Sequence, residues 1–170
     1  MPVIDIKNAT VYIQDGTSPT PNRIEVKIGE GNFTWSEKVN REYILDRGTL
    51  DLVRNGDEVP MDVSFDFTWE YIRGGLGSGD PASVDDALKN QGNASGWVSS
   101  SADACEPYAV DILVYNEPNC STGDKELTVF SDFRYESIDA DLRAGRISVK
   151  GRCNSTKPTS TRHLNASSVI

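Results

Sequence analysis

The run Val59–Tyr71, VPMDVSFDFTWEY, places an apolar residue at every odd position: Val59, Met61, Val63, Phe65, Phe67, Trp69 and Tyr71. Its even positions hold Pro60, Asp62, Ser64, Asp66, Thr68 and Glu70. Alternation with a period of two predicts a β-strand with one buried face. At ~3.3 Å per residue the run spans about 43 Å, against roughly five or six residues for an ordinary strand. The apolar face supplies an expected inter-sheet core of Val63, Phe65, Phe67 and Trp69, and the wet face carries Asp62, Asp66 and Glu70 with no base.

Working outward, Leu50 and Leu52 alternate and Asn55-Gly56 offers the positive-φ residues of a tight turn, which predicts a β-hairpin leading into the long strand. Further upstream, RIEVKIGEGNFTW (23–35) reads as a strand bent at the Gly29–Gly31 pair. Between them, the polar segment 36–48, SEKVNREYILDRG, reads as a long hairpin loop or a poorly patterned strand extension. Downstream, RGGLGSGDP breaks the pattern, and a short helix is expected over 81–90, with Asp80 as cap, Pro81 in its first turn and Gly92 beyond its end. NATVYIQ, KELTVFSDFRYES and GRISVKGRC are further strands, and YAVDILVY, apolar on both faces apart from Asp111, is expected at the centre of a sheet. The result is a mostly-β single domain of about seven or eight strands and one helix. The last residues, 154–170, lack any core-forming pattern.

The chain has 170 residues and a net charge of −9, from 26 acids against 17 bases. That balance opposes affinity for nucleic acid through phosphate neutralisation. No secretory leader and no apolar run of membrane-spanning length is read in it. Cys105, Cys120 and Cys153 lack metal-ligand spacing and are expected as reduced thiols. The one histidine, His163, lies in the polar tail with no acid or cysteine near it in sequence. GGLGSGD lacks the lysine of a phosphate-binding loop, and acids on a single strand face point the same way instead of facing each other across a scissile bond. No catalytic, cofactor-binding or metal-ligating residue is therefore expected, and the chain does not read as an enzyme. Trp35 and Trp69 fall in register with core residues, leaving Trp97 in a loop. A carbohydrate-binding or adhesion module built on a β-sandwich is one functional alternative.

A strand with one apolar and one acidic face suits the wall of a barrel, but an aqueous channel takes roughly 16–18 strands. Several copies joined edge to edge meet that demand, and a head-to-tail contact closes into a ring when its rotation permits. The succession of GNFTW, the polar 36–48 stretch, the DLVRNGDEVPMDVSFDFTWEYI hairpin, the helix in DPASVDDALKN and the final SDFRYESIDADLRAGRISVKGRC strands resembles the tail tube (major tail) proteins of long-tailed phages and related archaeal viruses.

The resemblance covers roughly residues 5–153 and implies a mainly-β fold, a two-layer β-sandwich or barrel with one short flanking helix. Six copies would form a ring whose inner sheets join into one barrel, and stacked rings would conduct DNA during ejection. It implies a domain over 1–153, an inter-ring loop at 36–48 contacting through Glu37, Lys38, Asn40, Arg41 and Glu42, and a polar carboxy-terminal arm over 154–170. The implied partners are further copies of the chain and the tape measure, tail tip and terminator proteins. DNA passes without specific binding, no cofactor is involved, and the location is the virion tail, assembled in the host cytoplasm. On this reading Asp62, Asp66 and Glu70 face the lumen, where an acidic lining repels a duplex within a Debye length of about 8 Å. A secretion-system tube protein is the nearer alternative.

Overall fold

A computed structural model describes residues 9–28, 32–68, 81–117 and 125–163. These residues are mainly β: β1 (Ala9–Gln14), β2 (Arg23–Val26), β3 (Phe33–Ser36), β4 (Val39–Asp46), β5 (Thr49–Glu58), β6 (Met61–Thr68), β7 (Val110–Asn116), β8 (Lys125–Asp141), β9 (Arg146–Cys153) and β10 (Thr159–His163). The strands of the large sheet follow the order β2-β1-β7-β8-β9-β6-β3, and β10 adds beside β8. β4 and β5 form a separate two-stranded sheet. Every pairing is antiparallel.

β8 turns one sheet into a sandwich-like pair of layers. Its residues up to Phe133 pair with β7, while Phe133–Asp141 pair with β9. Between Phe130 and Phe133 the register slips by one residue, and Asp132 takes a left-handed φ of 55°. A bulge of this kind bends the strand and sharpens its twist. The bend is pinned from β7 and its preceding loop: Asp132 N–H donates to Asp111 Oδ1 at 3.0 Å, and Ser100 Oγ donates to Asp132 Oδ1 at 2.8 Å.

The core lies between the layers, with Val11, Ile13, Ile112 and Phe130 from one side and Val63, Phe65, Phe67 and Val149 from the other. The ring of Phe33 stands 5.3 Å from that of Phe130 and 5.8 Å from that of Phe65, so β3 reaches across to β8. Burial of such side chains stabilises by about 1.5–3 kcal/mol each. As the alternation predicts, β6 buries Met61, Val63, Phe65 and Phe67 and leaves the residues between them partly exposed. Trp69, Glu70 and Tyr71 lie outside the described residues. β7 is central and buried on both faces, as its composition requires.

Four expectations need correction. Asn55-Gly56 is not a turn, because both residues lie inside β5. The hairpin folds instead at Arg47-Gly48, with φ of 52° and 81°. That turn sets Leu45 against Leu50, Ile44 against Leu52 and Tyr43 against Val53, apolar on apolar throughout. The segment 36–48 is therefore mostly strand.

The helix, α1, is shorter than expected, Val84–Lys89. Ser83 caps it by accepting from Asp86 N–H at 3.2 Å, and Asn90 ends it in the left-handed region. Asp80 lies outside the described residues. α1 packs Ala87 and Leu88 on the core, and the Tyr108 hydroxyl donates to Ala87 O at 3.0 Å.

The tryptophans differ from expectation in burial: Trp97, read as a loop residue, packs against the core, while Trp35 keeps its core register beside Val63, its ring 5.2 Å from that of Phe130, yet is 48% exposed at a sheet margin. Finally, part of the segment read as a polar arm is a strand: Thr159–His163 pair with Lys125–Val129 of β8. Backbone hydrogen bonds order these residues without apolar burial.

Candidate assembly interface

The β4–β5 hairpin exposes seven large apolar side chains: Val39, Tyr43, Ile44, Leu45, Leu50, Leu52 and Val53, each between 37 and 70% exposed. Register places Tyr43, Leu45, Leu50 and Val53 on one face, and Ile44 with Leu52 on the other. A lone two-stranded hairpin is marginal in water, and this one leaves apolar side chains exposed on both faces. The residues expected to make contacts sit nearer its base, and several are tied within the chain. Lys38 Nζ donates to Asp62 at 3.2 Å, Arg41 to Asn55, and Arg54 to Glu42. Asn40 lies beside Gly56, and Glu37 is exposed. Composition pointed to the polar residues of 36–48, and the apolar pairs nearer the tip went unread. The signal for them was present in the facing runs Tyr43-Ile44-Leu45 and Leu50–Val53 about a positive-φ glycine.

The outer face of β6, β9 and the end of β8 holds two of the expected lining acids. Asp62 accepts from Lys38 and from Arg152 Nε at 3.1 Å, and Asp66 accepts from Ser148 Oγ. The hydrogen bond from Lys38, with the charges of Lys38 and Arg152, holds the Asp62 carboxyl below its ordinary pKa. Across the sheet, Asp62 aligns with Arg152 and Arg134, Ser64 with Lys150 and Ser137, Asp66 with Ser148 and Asp139, and Thr68 with Arg146 and Asp141. Acids and bases alternate over this face. The absence of bases is a property of the β6 strand alone, and neighbouring strands supply the cations. Glu70 lies outside the described residues.

Among the described residues no three His, Cys, Asp or Glu side chains converge as a metal site, and no helix is long and apolar enough to cross a membrane. Cys105 is an exposed free thiol and Cys153 a buried one, pushed up to about 12 by burial and by the charges of Asp111 and Asp132. Cys120 lies outside the described residues, and His163 pairs through its backbone with Lys125. No family model matches this chain, and no curated protein matches it either.

Proposed function

We propose that the chain is a non-catalytic structural subunit of a viral tail tube, assembling head to tail into homohexameric rings that stack into a conduit for DNA. The observation that carries this reading is the β4–β5 arm. Among the described residues its two apolar faces have no strand laid against them, and a further copy in the next ring is the partner that a repeating tube supplies. The sandwich-like body, the flanking helix and the amphipathic β6 agree with the two-layer ring-forming fold of that family. The alternating charge on the outer face fits a lining that offers a duplex no continuous cationic track to hold it.

The arm is the place to test the reading. Leu50→Asp with Leu52→Asp should abolish large assemblies in sedimentation velocity while the monomer keeps the wild-type thermal midpoint. Assemblies of unchanged size would remove the arm from the interface and the main support from the reading.

One observation favours a sugar-binding module instead. Trp35 is half exposed beside a groove of about 390 Å³ lined by Thr34, Ser36, Asp62, Glu136 and Lys150. In that case the protein stays monomeric and glycans change the Trp35 fluorescence.

A further inference from the structure

Six of the 11 asparagines open an Asn-X-Ser/Thr triplet without proline in the middle: Asn8, Asn32, Asn93, Asn119, Asn154 and Asn165. With 28 serines and threonines in 170 residues, chance would place a hydroxyl two positions after about two of those 11. The triplet is the acceptor pattern for transfer of a sugar to the asparagine amide, and its use requires a side chain at the surface. Asn8, Asn119 and Asn165 lie outside the described residues.

The described asparagines divide by use. Outside the triplets, Asn22 donates its amide to Asp15 Oδ2 at 2.8 Å, Asn55 accepts from Arg41 across the hairpin, and Asn90 ends α1 in the left-handed region. Within the triplets, Asn93 is partly buried and already engaged, whereas Asn32 and Asn154 are exposed and bond through their side chains to no other described residue. Asn154 is the better placed of these two. It follows β9, between Cys153, which is 1% exposed, and Ser155, whose hydroxyl is buried. Its N–H donates to Asp132 O at 3.3 Å, and Ser155 O accepts from Met61 N–H at 2.9 Å. The backbone is thus held on both sides while the Asn154 side chain turns to solvent. Asn32 accepts through its carbonyl from Asp66 N–H at 3.0 Å, so a sugar there would stand beside the charged face proposed as the lining.

We propose that Asn154 is a site of N-glycosylation, taking a sugar from a phosphate-activated donor held by a separate transferase. Asn154 Nδ2 attacks the sugar C1 and forms the N-glycosidic bond. The C1–O bond to the donor's phosphate breaks, the phosphate leaves with that electron pair, and one amide proton passes to a base of the transferase. Thr156 supplies the hydroxyl two positions on by which such an enzyme reads the triplet. Thr156 also shares a groove with Lys38, Asn40 and Asn55, so the glycan would lie near the base of the β4–β5 arm. Transfer at Asn154 requires neither ring nor tube, and failure of either reading leaves the other standing.

The test is peptide mass spectrometry of the protein purified from the source that makes it naturally. Trypsin should release Cys153–Arg162 as one peptide, because Lys157 precedes proline. Fragmentation should place whole sugar residues on Asn154, and the intact mass should exceed that of the bare chain by at least that amount. Made in the same source, Asn154→Gln and Thr156→Val should each lose the modification of this peptide, and Thr156→Ser should keep it. If a variant fails to fold, the wild-type peptide decides alone. Asn154 found only in its unmodified form would overturn the proposal, as would sugar mapped to Thr159, Ser160 or Thr161 in its place.

Discussion

Asp15 is 2% exposed, and its carboxylate accepts from the backbone N–H groups of Thr17, Asn22 and Val98, the Thr17 hydroxyl and the Asn22 amide. Burial pushes its pKa up, but the hydrogen bonds from Thr17, Asn22 and Val98 together outweigh burial and hold it below the ordinary value. A depressed carboxyl stabilises the fold above its unfolded pKa, and that contribution is lost as pH falls through the folded value. Asp15→Ala should cost about 3 kcal/mol in urea unfolding at neutral pH, with the deficit shrinking in acid.

Asp111 behaves oppositely, its pKa raised chiefly by burial and further by Asp132. Ionisation is then disfavoured in the folded state, so stability drops as pH rises past the unfolded pKa. Asp111→Asn keeps an acceptor for the Asp132 N–H and should raise Tm by a few degrees at neutral pH, on the order of 1 kcal/mol. That gain should vanish as pH falls below the unfolded value. Thiol reagents should label Cys105 in the native protein and Cys153 only on unfolding, because burial keeps that thiol protonated. None of these roles was legible in the sequence. QDGTSPTPN announces a turn, but the Val98 donor that helps bury Asp15 comes from 83 residues away.

At the scale of elements, period-two alternation was enough for β6, and apolar character on both faces was enough for β7. Turn chemistry was less decisive. Asn-Gly is the stronger local turn signal, yet cross-strand pairing about Arg47-Gly48 outweighs it by setting three apolar pairs together. Gly48, at φ 81°, should show this directly: Gly48→Ala costs about 1 kcal/mol locally. Hydrogen exchange should then quicken across β4 and β5 while the β6 and β7 amides keep their protection.

The length of β8 was legible only in part, since Ser131-Asp132 looks like ordinary strand until β7 is placed beside it. Gly151 is similar. A Cβ there would lie 2.2 Å from Arg134 O, so the β8–β9 approach requires glycine for a reason that only the paired strands reveal.

At the scale of the whole molecule, the described residues expose an apolar arm and a face of alternating charge, the two features that support the proposed repeat of copies. Sequence showed the long amphipathic strand that suggests a wall. It did not show that Arg146, Lys150 and Arg152 stand beside the acids, because those residues lie far along the chain, Arg152 90 positions after Asp62, and meet β6 only through β9 pairing. The central claim is self-assembly into a hollow ring, and negative-stain electron microscopy of the purified wild-type protein across a concentration series tests it most directly. The account predicts six-fold rings and hollow stacks with a lumen wide enough to pass a duplex. Solid fibres, or single particles of monomer size at every concentration, would contradict it.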